Sequence, residues 1–154
     1  MSWFFIESKL NGLVLDIKGG SVKGANVITW PKHGGSNQLW AWSGDLLVSK
    51  TGYVLDVYGS RTANGTKAIA WDKHGCSNQR WEMVGDQIIS KLNDFVLDIK
   101  GGCSDKGVDV IMWPKHGGSN QQWKITYPEG KCIAIQVLEF KPRQKYYAIY
   151  LISS

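Results

Sequence analysis

Proline occurs four times and cysteine three times in 154 residues, and no stretch is long and apolar enough to cross a membrane as a helix. Cys76, Cys103 and Cys132 are an odd number at spacings that match neither a zinc site nor a disulfide framework. They fit a reducing compartment or buried thiols. The net charge is +5, but the lysines are dispersed, with no dense basic block and no RNA-binding signature. A solvated basic surface is therefore expected, and nucleic acid is not an expected partner. The opening MSWFFIESKL carries Glu7 and lacks a basic segment ahead of a sustained apolar run. It reads as a first strand rather than a secretory signal, which implies a cytoplasmic or non-classically secreted protein.

The chain has the length of one ordinary domain, and 18 glycines with 43% hydrophobic residues suit short strands joined by tight turns. Helical periodicity is missing; repetition is not. WPKHGGSNQLW (30–40), WDKHGCSNQRW (71–81) and WPKHGGSNQQW (113–123) are one phrase written three times, and Trp40, Trp81 and Trp123 are spaced by 41 and 42 residues. LVLDIKGG (13–20), YVLDVYGS (53–60) and FVLDIKGG (95–102) keep the same beat. Such a period denotes a supersecondary unit whose copies pack together to bury a shared core. Within the first unit WFFIESK, LVLDIKG, NVITWPK and NQLWAW read as strands, so three units over about 1–43, 44–85 and 86–127 supply twelve. A closed, pseudo-threefold all-β arrangement leaves no long edge unprotected.

The Gln-x-Trp pairs Gln38/Trp40, Gln79/Trp81 and Gln121/Trp123, each preceded by Asn and each about twelve residues beyond a Gly-rich turn, resemble the ricin B-type lectin family. The resemblance covers residues 1–127 and implies a β-trefoil that binds galactose-type sugars. Residues 128–154 lie outside it. CIAIQVLEF and KYYAIYLI flank KPRQ there, which predicts a C-terminal hairpin packing on the trefoil, on a second copy as a homodimer, or on a further domain.

Strand alternation separates the tryptophans into two kinds. Val27, Ala68 and Val110 share a face with Thr29, Ala70 and Met112; Ile28, Ile69 and Ile111 share the other with Trp30, Trp71 and Trp113. Small, variable residues suit a crowded interior, so Trp30, Trp71 and Trp113 are expected outside. There they serve either as platforms for the C–H face of a galactose ring or as packing beneath the Gly-rich loops. Trp40, Trp81 and Trp123 are expected in the core.

Asp16, Asp56 and Asp98 stand inside strands, where Asp is depleted. A carboxylate accepts hydrogen bonds from two adjacent hydroxyls at once. Asn37, Asn78 and Asn120 offer a donor and an acceptor to the same pair; the alternative is that these Asp and Asn side chains only tie turns. Carried over by resemblance, the sugar sites comprise Asp16, Ile28, Trp30, Asn37 and Gln38; Asp56, Ile69, Trp71, Asn78 and Gln79; and Asp98, Ile111, Trp113, Asn120 and Gln121. Lys32, Lys73 and Lys115 with His33, His74 and His116 either donate to ring hydroxyls or face solvent in turns. Asp16 to Trp30 is fourteen residues, one fewer than in the other units, which makes the first site the least regular.

The expected function is a trivalent lectin for galactose or N-acetylgalactosamine glycans, glycoproteins or glycolipids, touching membranes only through glycans. By size scaling the sites lie on the order of 25 Å apart, so branched glycans gain avidity of about 10². Alternatives are the targeting module of a larger toxin or pore-former, and a trefoil signalling or cytoskeletal protein. No enzyme is expected, because the aspartates come singly and do not form a glycosidase pair. No cofactor is expected either, and one histidine per unit is poor zinc chemistry. Asn64-Gly65-Thr66 matches a glycosylation acceptor but reads better as an Asn-Gly turn.

Overall fold

Short strands fall where β-branched and aromatic residues cluster between glycines. The computed structural model describes residues 1–129 in full, and the backbone alone of Lys131–Phe140 and Gln144–Ser153. Twelve four-residue strands make up the repeat region: β1 (Phe5–Ser8), β2 (Val14–Ile17), β3 (Val27–Trp30), β4 (Trp40–Ser43), β5 (Leu46–Ser49), β6 (Val54–Val57), β7 (Ala68–Trp71), β8 (Trp81–Val84), β9 (Gln87–Ser90), β10 (Val96–Ile99), β11 (Val110–Trp113) and β12 (Trp123–Thr126). β13 (Lys131–Phe140) pairs antiparallel with β14 (Gln144–Ser153), from Lys131 opposite Ser153 to Phe140 opposite Gln144. This is the expected hairpin. What its side chains, Cys132 included, pack against lies outside the described residues.

Six strands close a ring. β12 pairs with β1, β4 with β5 and β8 with β9. The remaining seams are closed by Phe4 and Trp40 exchanging backbone bonds at 2.8 and 2.9 Å, by Trp81 N donating to Asp45 O at 2.8 Å, and by Trp123 N donating to Asp86 O at 2.7 Å. The hairpins β2–β3, β6–β7 and β10–β11 cap this barrel. The result is a β-trefoil.

The cap hairpins interlock through backbone bonds around the pseudo-threefold axis. Gly24 N donates to Ala70 O at 2.7 Å, Gly65 N to Met112 O at 2.8 Å and Gly107 N to Thr29 O at 2.7 Å. Ala70, Met112 and Thr29 donate back to Ala25, Thr66 and Val108 at 2.7–3.0 Å. Each unit therefore fastens its loop to the strand of another unit.

Trp40, Trp81 and Trp123 fill the core with Leu15, Leu55 and Leu97 beside them. A buried indole needs a partner for its N–H. Each finds one: Nε1 donates to the carbonyls of Leu15, Leu55 and Leu97 at 3.1, 3.1 and 3.2 Å. These leucines immediately precede Asp16, Asp56 and Asp98, so the core tryptophan pins the strand that carries the carboxylate.

Two expectations are corrected. The strands are shorter than the sequence runs, because Ser36–Gln38, Ser77–Gln79 and Ser119–Gln121 form single 3-10 turns ahead of β4, β8 and β12. Cys76 is exposed, so it is not a buried thiol. The Asn-Gly turn is present: Thr66 N and Oγ1 both donate to Ala63 O, at 3.2 and 2.7 Å, across Asn64-Gly65.

Candidate functional site

Parity sorts the second tryptophan set as expected. Val27, Thr29, Ala68, Ala70, Val110 and Met112 are buried, whereas Trp71 and Trp113 are 36% and 38% exposed and Trp30 is half-buried. Ile28, Ile69 and Ile111 sit across β2–β3, β6–β7 and β10–β11 from Asp16, Asp56 and Asp98. Isoleucine, tryptophan and aspartate thus share one face of each hairpin, but the isoleucines, expected outside, are buried at 4–5% exposure and only the indoles reach the surface.

Each aspartate is 2–3% exposed and held by two amides. Asn37, Asn78 and Asn120 donate through Nδ2 to Oδ1 of Asp16, Asp56 and Asp98 at 3.1 Å in every unit. Gln38, Gln79 and Gln121 donate through Nε2 to Oδ2 at 2.8, 2.7 and 2.8 Å. The same glutamine nitrogens reach the carbonyls of Pro31, Asp72 and Pro114. Their Oε1 atoms accept from the backbone N–H of His33 and Gly34, His74 and Gly75, and His116 and Gly117. All four bonding positions of each glutamine are filled. Gln38, Gln79 and Gln121 are therefore struts beneath the carboxylates, with nothing left to offer a ligand.

Burial pushes the Asp16, Asp56 and Asp98 carboxyls up from their ordinary range, against the opposing pull of the glutamine, histidine and asparagine donors. Each carboxylate still has lone pairs beyond those the amides use. His33, His74 and His116 complete the rim. Their Nδ1 atoms accept from the N–H of Gly35, Cys76 and Gly118 at 3.0–3.1 Å. That places the ring proton of the neutral form on Nε2, which lies 3.4–3.5 Å from the aspartate Oδ2. Each histidine stays with its own aspartate.

The lysines part company with the site. Lys32 Nζ donates to Glu7 at 3.0 Å and lies over the Phe5 ring, while Lys73 and Lys115 are exposed turn residues. Burial alone would raise the Glu7 carboxyl, but the bonds from Lys32 and Lys124 outweigh it and hold the group below its usual value.

The first and second of these assemblies open into cavities. The first, about 480 Å³, is lined by Asp16, Ile28, Trp30, His33 and Asn37 together with Lys18, Gly19, Gly20 and Gly107. The second, about 430 Å³, is lined by Asp56, Ile69, Trp71, His74 and Asn78 with Tyr58, Gly59, Ser60 and Arg61. The missing residue of the first unit is absorbed here: Gly19 and Gly20 take φ of 78° and 92° where the other units make a 3-10 turn, and the carboxylate geometry is unchanged.

Gly107 belongs to the third unit, and sequence reasoning missed it. A Cβ on Gly107 would lie 3.4 Å from the Trp30 ring, on Gly24 3.2 Å from Trp71, and on Gly65 3.8 Å from Trp113. Lys106 and Lys23 place their ammonium groups 5.2 and 4.7 Å from the Trp30 and Trp71 rings. Each outward indole is thus braced by another unit. The available signal was a Lys-Gly or Asn-Gly pair six residues before every outward tryptophan.

The second unit differs at residue 76. Gly35 and Gly118 stand where a Cβ would come 2.8 Å from the asparagine Oδ1, and Cys76 has such a Cβ. Asn78 is correspondingly buried, and its Oδ1 is an acceptor with no partner among the described residues.

Residues 2–123 match the model of the ricin-type β-trefoil lectin domain. The chain belongs to that family. The lectin domain is similar to the C-half of the earthworm R-type lectin, solved with GalNAc, at 30% identity over 81% of this chain and 98% of that one, with a TM-score of 0.69. It is also similar to the ricin B-like lectin of Macrolepiota procera, solved with lactose, at 28% identity over 82% and 96% of the two chains and a TM-score of 0.72. ThreeFoil, a designed protein with threefold symmetry, aligns at 29% identity over 80% and 96%, with a TM-score of 0.75. Among curated proteins no sequence matches the chain.

Proposed function

We propose that the lectin domain binds terminal galactose or N-acetylgalactosamine at up to three saucers and cross-links the glycans that carry them, performing no chemistry on them. The observation that carries this is the repeated pairing of an outward indole with a buried carboxylate whose orientation two amides fix. The indole takes the C–H face of the ring, and the carboxylate accepts from two neighbouring hydroxyls. The similar earthworm and Macrolepiota procera lectins, solved with GalNAc and lactose, support the same sugar class.

Losing one hydrogen bond to a carboxylate costs about 1.5–3 kcal/mol. Glucose, with its O4 inverted, should therefore bind about ten- to a hundred-fold more weakly than galactose. Red-cell agglutination inhibited by free galactose and not by glucose is the expected result. Agglutination that ignores both sugars, or a glycan array with no galactose-terminated hits, would overturn the reading.

A further inference from the structure

We propose that the second saucer extends into an anion-accepting subsite built on a stacked guanidinium that the first and third lack, so that it prefers galactose bearing or adjoining a carboxylate or sulfate. The inference rests on the galactose reading above. A separate cavity of about 510 Å³ adjoins this saucer, and the two share Tyr58, Arg61 and Ile69 as a common wall. Its far side is formed by the Ala63–Lys67 turn and, from the first unit, by Gly24 and Asn26. A ring seated against Trp71 and Asp56 therefore has Arg61 and this second chamber beside it.

The charge in that wall is positive and is carried by the exposed Arg61 and Lys67. Arg61 rests its guanidinium 4.9 Å from the centre of the Tyr58 ring, and no carboxylate pairs with it among the described residues. Lys67 adds a second cation, offset by Asp109 at 3.8 Å. A planar guanidinium stacked on an aromatic ring keeps its donor edge free for a carboxylate or sulfate, and less freedom is lost on binding than for a lysine. Five residues past the aspartate, where the second unit has Arg61, the others have Ser21 and Cys103. Two residues past it, Tyr58 is replaced by Lys18 and Lys100, which cannot stack a guanidinium.

The test uses the full chain carrying W30A and W113A, so that only the second saucer binds, titrated with lactose, 6′-sialyllactose and 6′-sulfolactose, whose galactose O3 and O4 hydroxyls stay free for Asp56. The acidic sugars should bind about three- to five-fold more tightly than lactose, the scale of one exposed ion pair. That ratio should fall toward one in Arg61→Gln, narrow in Lys67→Gln, and shrink as salt rises. A preference for sialyllactose alone marks the carboxylate, and for both acids the anion in general; either supports the proposal. Lactose bound with no acidic preference, or a preference that survives Arg61→Gln and high salt, overturns it while the galactose reading stands. A protein that is folded by circular dichroism yet binds none of the three sugars overturns this proposal and the galactose reading of the second saucer, while lactose binding by the unmodified chain decides that reading for the other two.

Discussion

Trp40, Trp81 and Trp123 on one side, and Trp30, Trp71 and Trp113 on the other, are the same side chain placed under opposite demands. The first three are fully buried, with each N–H satisfied by a carbonyl of the strand bearing the carboxylate. The second three lie at the surface, and a glycine of another unit approaches each six-membered ring. Each core indole makes its hydrogen bond within its own unit while packing in a cluster shared by all three, whereas each outward indole rests on a glycine of another unit. A binding face can thus be lost without losing the fold, but a core tryptophan cannot be lost without losing both.

Replacing one tryptophan from each set breaks the comparison most severely. Trp81→Ala should cost about 3–5 kcal/mol, enough to unfold much of the protein at ambient temperature, as read by chemical denaturation. Trp71→Ala should cost less than about 1 kcal/mol by the same measurement, yet abolish sugar binding at the second saucer. Equal destabilisation by the two would place Trp71 in the core.

A subtler break comes from the neighbouring unit. Gly24 adopts φ of 79°, and a Cβ there lies 3.2 Å from the Trp71 ring. Gly24→Ala should introduce roughly 1–2 kcal/mol of backbone strain and tilt that indole. It should weaken the second saucer several-fold and spare the first, although residue 24 lies in the first unit. Loss at the first saucer instead would deny the cross-unit brace.

The smallest effect is that of pH. The raised Asp16, Asp56 and Asp98 carboxyls protonate in the folded protein above the ordinary aspartate value of 3.8. Sugar hydroxyls donate to the ionised form, so affinity should be flat near neutrality and fall as pH drops into the window just above that value. Stability responds in the opposite sense. A carboxyl raised in the folded state contributes stability that is complete below its unfolded value and disappears as pH rises through the folded one. Calorimetric titration at stepped pH should show affinity falling through this window; affinity that rises on acidification would exclude the carboxylates as acceptors.

Much of this comparison was legible in the sequence because alternation along a strand is a short-range rule. It separated Trp30 from Thr29, and the threefold period showed that each placement recurred. Gln38 shows where such reasoning stops: its place in the motif implied a sugar contact, but only the path of the loop at His33 and Gly34 reveals that all its bonding positions are filled. Lys32 points elsewhere because Glu7, twenty-five residues earlier, offers a carboxylate. Gly24, Gly65 and Gly107 act on tryptophans of other units, and no local pattern encodes that contact.

The most direct measurement follows the indole N–H resonances of the eight tryptophans during a lactose titration. The signals of Trp30, Trp71 and Trp113 should shift together with sugar, while those of Trp40, Trp81 and Trp123 stay fixed and protected from exchange by their carbonyl partners. Shifts at the core indoles with none at the outward three would contradict the account.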